Sequence, residues 1–184
     1  MKKLLLLLSV LGVACTNAAG LNLVVPGKSH IAFTSTQMGV PVKGGFSKFM
    51  SQADFDPANV TAAKIRVDVD LASIDAGSSD ANTEIKGKGW LNIAAFPQAR
   101  FVSGSVKSLG GVRYEARGPL TIKGISQSIS VPFSVRVDAA GTWLEGGFVL
   151  PRLQFKIGDG EWSDTSVVAN EVQVKFTFLL TYKK

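Results

Sequence analysis

The chain has 184 residues, 46% of them hydrophobic and 18% charged, with a formal net charge of +6 and one cysteine. One cysteine excludes an internal disulfide framework, and the length fits one domain or a single all-β barrel. The basic residues are scattered among acids with no dense Lys/Arg run, which argues against nucleic acid as a partner and stays compatible with an anionic head group or membrane surface.

Residues 1–19 read as a signal peptide and 20–184 as the folded domain. Lys2 and Lys3 form a basic start, Leu4 to Leu8 with Val10, Leu11 and Val13 an apolar run, and Ala14, Ala18 and Ala19 the small residues of a cleavage site. The run is too short for a stable spanning helix. Cleavage near Ala18 or Ala19 sends the mature chain to a periplasm. Cys15 sits where a lipobox cysteine would, but Gly12 stands three residues before it in place of a branched apolar residue, so the lipoprotein reading is the weaker one.

Taken in order, the rest alternates. Ile31 and Phe33 open a strand toward Met38, and Gly39 and Pro41 mark a turn. Val42 to Met50 makes a second strand, with Gly44-Gly45 suggesting a bulge. Asp54 to Asn59 is a turn. Lys64 to Leu71 places Ile65, Val67, Val69 and Leu71 on one face and Lys64, Arg66, Asp68 and Asp70 on the other. Ser79 or Asp80 is expected to cap a short helix through Ala81 to Lys86, ended by Gly87 and Gly89. Trp90, Leu91, Ile93 and Phe96 follow on irregular chain. Phe101 to Ser108 and Val112 to Ile122 read as a hairpin closed at Gly110-Gly111. Lys123-Gly124 then turns the chain into Ile129, Val131, Phe133, Val135 and Val137, alternating with Ser130, Pro132, Ser134 and Arg136. Pro132 lacks an N–H, so this arm is expected at an edge or bulge. Thr142 to Leu150 and Glu171 to Tyr182 are further strands around an irregular stretch from Arg152 to Thr165. Eight or nine strands, one short helix and regular turn signals indicate an all-β sandwich or barrel.

Chemistry is sparse. Asp68 and Asp70 share a strand face with Lys64 and Arg66, which reads as a solvated face rather than a catalytic pair. His30 is the lone histidine, so zinc and copper sites and a Ser-His-acid triad lack their ligands or base. Phosphate-loop and dinucleotide fingerprints are absent. Asp159, Glu161 and Asp164 around Trp162 fit no EF-hand spacing and read as a polar turn. No catalytic residue, metal or cofactor is assigned.

Several segments together resemble the YceI-like family of secreted bacterial proteins. They are Ser29-His30-Ile31-Ala32-Phe33; Val42-Lys43-Gly44-Gly45-Phe46 with Phe49; Asp54-Phe55-Asp56-Pro57; Phe96-Pro97 with Phe101 and Ser103; Gly118-Pro119-Leu120-Thr121-Ile122-Lys123-Gly124; Val131-Pro132; and Ile157-Gly158-Asp159-Gly160-Glu161-Trp162 with Val167. The resemblance implies an eight-stranded antiparallel lipocalin-like β-barrel, with the irregular segments near its mouth. It also implies a long apolar ligand, such as a polyisoprenoid or fatty amide, inside. It departs at Pro26, where the family carries an acid, and around Met38-Gly39, where many members carry a second histidine, so neither role carries over.

A barrel of that size is either filled by side chains or holds one small ligand. Alternation points Phe33, Phe46, Ile65, Val67, Leu120, Ile122, Phe133, Val135, Phe176 and Phe178 inward, where they either meet one another or meet a ligand. Trp90, Phe96 and Trp162 are assigned to the mouth. Lys43, Lys88 and Lys123 are the candidates for holding a phosphate. The leading expectation is a periplasmic carrier of a polyprenyl phosphate or isoprenoid quinone. A filled barrel or sandwich serving as adaptor for a membrane partner is the alternative, with an enzyme acting on a bound lipid behind it. An outer-membrane barrel is disfavoured by the paucity of tyrosine and by the Lys183-Lys184 end. Edge strands leave a homodimer open.

Overall fold

The computed structural model describes residues 22–182. The expected signal segment, with Cys15, lies outside the described residues. Twelve strands join in one antiparallel sheet: β1 (Asn22–Val24), β2 (His30–Gln37), β3 (Val40–Phe46), β4 (Phe49–Asp54), β5 (Lys64–Asp70), β6 (Ile74–Asp75), β7 (Gln98–Val102), β8 (Ser105–Gly110), β9 (Arg113–Ile122), β10 (Ile125–Asp138), β11 (Gly141–Pro151) and β12 (Glu171–Tyr182). One helix, α1 (Ser79–Lys86), interrupts them.

These twelve pieces are eight runs of chain. β1 and β2 lie along the same edge of β12, separated by a 3-10 turn at Pro26–Lys28. β3 and β4 are one run bent at Ser47 and Lys48. β5 and β6 are one run broken by the 3-10 turn Leu71–Ser73, and β7 and β8 one run broken at Ser103 and Gly104. Each run pairs with the next. β1 pairs with both β12 and β4, which closes the ring into a barrel. The alternation in the sequence starts only after Pro26, so β1 is not among the expected strands.

Local chemistry explains the corners. Lys123 (φ 51) and Gly124 (φ 74) both adopt positive φ, the tight hairpin turn that matches strand twist. At Gly44 the requirement is proximity: a Cβ there would collide with the Phe33 ring and the Asp75 carbonyl. The helix is capped one residue earlier than expected, by Ser78, whose Oγ accepts from the Ala81 N–H at 3.2 Å.

Both ends of the barrel are filled. At the end holding the β8–β9 and β10–β11 turns, Phe55 packs edge-on against Tyr114 (5.0 Å) and Phe133 (5.9 Å), and those two stack at 5.6 Å. At the other end the segment between β11 and β12 folds over the opening. Its anchor is Arg152, 1% exposed. Nε donates to the Ala169 carbonyl (3.0 Å), one terminal nitrogen to Ile157 and Gly158 (2.9 and 2.7 Å), and the other to Trp162 and Val168 (2.6 and 2.7 Å). All five donors are thus used. Burial draws the Arg152 pKa down from its ordinary value, but a guanidinium with this much carbonyl contact stays charged.

Candidate functional site

Between these two plugs lies a cavity of about 170 Å³. Its wall follows from the period of two along each strand. Ile65, Val67 and Val69 come from β5, Ala99 and Phe101 from β7, and Ala116, Leu120 and Ile122 from β9. β10 supplies Ile129, Val131 and Phe133, β11 Leu144, Phe148 and Leu150, and β12 Val174, Phe176 and Phe178. Ile31 and Phe46 complete the ring, and Leu71, Leu91 and Ile157 form the ceiling. Arg100 is the one polar residue in this lining. Its guanidinium is engaged on Asp68 at 2.5 Å. The described lining otherwise carries no carboxylate, imidazole, thiol or hydroxyl.

The sequence-predicted residues divide. Phe46, Ile65, Val67, Leu120, Ile122, Phe133, Phe176 and Phe178 all line the cavity. Phe33, Trp90, Phe96, Val135 and Trp162 do not. Phe33 points inward but turns to Phe46, at 6.0 Å, in the room left by Gly44. Val135 lies one inward step past Phe133, toward the β10–β11 turn, and is buried. Trp90 and Trp162 belong to the cap: their rings lie 5.6 Å apart, and both Nε1 atoms donate to Glu84 Oε1 at 3.1 and 3.2 Å. The Arg152 guanidinium sits 5.8 Å from the Trp90 ring. Phe96 packs where a Cβ on Gly124 would stand. At this end of the barrel the partners of Trp90 and Trp162 are thus each other, Glu84 and the arginine, and that of Phe96 is the Gly124 turn.

The charged candidates are also accounted for. Burial would raise the Asp68 pKa, but Arg66 (2.6 Å) and Arg100 together hold it below the ordinary carboxylate value. Asp70 accepts from the Ala72 N–H at 3.0 Å and caps a turn. Asp164 Oδ1 accepts from both the N–H and the Oγ of Ser166. Lys43 and Lys88 are exposed. Lys123 is spent on the cap: its ammonium reaches the Lys156 carbonyl at 2.5 Å and Asp159 at 3.5 Å. Phe148, Ile129 and Val174 also line the cavity and are not among the sequence-predicted site residues. Their signal was the same alternation. Arg152 carried no signal, because nothing in the sequence around it tells a buried arginine from a solvated one.

A family model described as the YceI-like domain matches residues 23–180. Curated relatives include a UPF0312 protein of Yersinia pestis (strain Pestoides F), 31% identical over 105 residues, which are 57% of this chain and 53% of that protein. Another is from Pseudomonas savastanoi pv. phaseolicola, 30% identical over 107 residues, 58% of this chain and 55% of the relative. The chain thus spans about half the length of the curated relatives it matches. Among solved structures, Burkholderia cenocepacia BcnA superposes with a TM-score of 0.84 at 40% identity, covering 86% of this chain and 99% of that one. A polyisoprenoid-binding domain from Saccharophagus degradans superposes at 0.70 and 14% identity, covering 90% and 99%, a likeness of fold. With the family model matched over nearly all the described residues, and the barrel shared with BcnA, this chain belongs to the YceI-like family.

Proposed function

We propose that this protein is a periplasmic carrier that holds a long apolar chain of isoprenoid type, a polyprenyl phosphate or an isoprenoid quinone, with its hydrocarbon in the barrel. The observation that carries the reading is the cavity wall, which is aliphatic and aromatic apart from Arg100, itself engaged on Asp68. Such a wall can bury hydrocarbon at roughly 25 cal/mol per Å² and offers no group to attack, protonate or deprotonate it, which favours binding over catalysis. Family membership supports a lipid ligand, and a structural neighbour is described as polyisoprenoid-binding. The periplasmic address rests on the basic and apolar start of the sequence.

Native mass spectrometry of the mature protein taken from its own host's periplasm, repeated after organic extraction, tests this. The expected result is a bound species whose mass resolves into isoprene units, with the head group identified by the remainder. Protein that carries no lipid and takes none up on incubation would favour a structural or adaptor role instead.

A further inference from the structure

Between β10 and β11 the barrel wall is open for part of its length. The two strands pair from Phe133 with Gly146 to Asp138 with Gly141, and no further. Residues 125–132 are held by β9, and residues 147–151 by β12. The cause is Pro132. Val135 donates its N–H to Val112, on the β9 side, at 2.9 Å. Backbone directions alternate along a strand, so position 133 also faces β9 and position 132 faces β11. Proline has no N–H to give there, and the ladder stops. The five residues of β11 beyond that point, at roughly 3.3 Å each, leave a gap about 16 Å long.

A groove of about 720 Å³ lies over this gap. Ile129, Phe148 and Val174 line both the groove and the cavity, so these three side chains stand between the two. All three are half-buried. The other routes are more strongly held. Lifting the cap breaks five hydrogen bonds of a buried guanidinium, and opening the far end pulls apart Phe55, Tyr114 and Phe133. Turning Phe148 aside breaks neither set. Capacity points the same way. A cavity of about 170 Å³ is close to an engineered one of about 150 Å³ that takes up benzene, so a long chain must keep part of its length outside.

We propose that this gap is a lateral portal: the apolar chain passes tail first between β10 and β11, gated by Phe148, Ile129 and Val174, and its polar head stays in the groove. The inference rests on the carrier reading above. The polar side chains lining the groove are Ser128, Ser130, Gln154, Gln173 and Lys175, that is, hydroxyls, amides and one ammonium. That set suits an anionic or carbonyl head, with Lys175 supplying the charge-assisted bond.

Stopped-flow uptake and release of cis-parinaric acid by the full chain tests it. Ser128→Trp with Val149→Trp puts two indoles in the groove and leaves the cavity wall intact. Uptake and release are both expected to slow by about tenfold, since a raised barrier enters both directions. Gln52→Trp, on an exposed position of the doubly paired β4, serves as the control and should not slow them. Phe148→Ala is expected to speed release by about fivefold. Lys175→Gln is expected to weaken the acid more than the alcohol of the same chain, by about fivefold. If the double variant does not fold, the Phe148 and Lys175 variants carry the test. Wild-type rates in every folded portal variant, with binding intact, overturn the portal and leave the carrier standing. Wild-type protein that takes up neither the acid nor the alcohol overturns the carrier reading itself.

Discussion

Ala116 gives a direct measure of what the cavity is for. It sits on β9, 2% exposed, with its methyl in the cavity wall. Leucine there adds three carbons to the void. Filling about 170 Å³ completely would stabilise the fold by about 4 kcal/mol at ~24 cal/mol per Å³. Three carbons of about 30 Å³ each, taking a water's share of volume as the yardstick, fill about half, for about 2 kcal/mol. Leucine rotamer entropy and some strain remove about 1 kcal/mol of that. The net gain of about 1 kcal/mol raises Tm by roughly 2–4 °C for a domain of this size. The same three carbons are lost to the ligand. At about 0.8 kcal/mol for each buried CH₂, binding weakens by about 2.4 kcal/mol, or about 50-fold. Thermal melts and cis-parinaric acid titrations of Ala116→Leu read both effects. A variant that is more stable but binds as tightly as wild type would refute the reasoning, because the chain would then lie elsewhere. A variant destabilised by overpacking, again with unchanged affinity, would refute it from the other side.

Arg152→Met leaves five carbonyls inside the cap without their donor and is expected to cost about 3–5 kcal/mol in urea unfolding. Arg152→Lys should recover little of it, because an ammonium cannot reproduce the guanidinium fork. Burial pushes the Asp68 carboxyl up, but Arg66 and Arg100 together hold it below its ordinary value in the folded protein. Its stabilising contribution is therefore complete above the unfolded value near 3.9 and drains away as pH falls through the lower folded one. Urea midpoints measured below about pH 4 should fall less steeply in Asp68→Asn than in wild type. Gly44→Ala drives a methyl into the Phe33 ring and the Asp75 carbonyl, and should cost about 1–3 kcal/mol in the same assay.

Much of the fold was legible because a strand writes its two faces into the sequence. Ile65, Val67 and Val69 against Arg66 and Asp68 needed no tertiary information, and neither did Phe176 and Phe178 on β12. The strand count was legible as runs of chain. It was not legible as hydrogen-bonded pieces, because the breaks at Pro26–Lys28, Leu71–Ser73 and Ser103 depend on how neighbouring strands twist past one another. β1 was missed because three residues carry too little alternation to register, yet their pairing with β4 and β12 closes the ring. Pro132 by itself predicts an edge or a bulge. It lies inside a strand paired on both sides over different lengths, and it is the point at which one of those pairings ends.

The amino-acid sequence by itself determined that this chain is all-β, which side chains of each strand face inward, and where the barrel turns corners, since alternation, glycine and proline act over a few residues. Only the tertiary structure decided whether the inward side chains meet. That depends on the radius of a closed ring and on what plugs its two ends, quantities that belong to residues far apart in the chain. Phe55, Tyr114 and Phe133 fill one end and Arg152 fastens the other. Gly146 lets the Phe176 ring come close to β11, where a Cβ would stand 2.8 Å from it. The space left between them is a cavity that shares three side chains with an outer groove beside a proline.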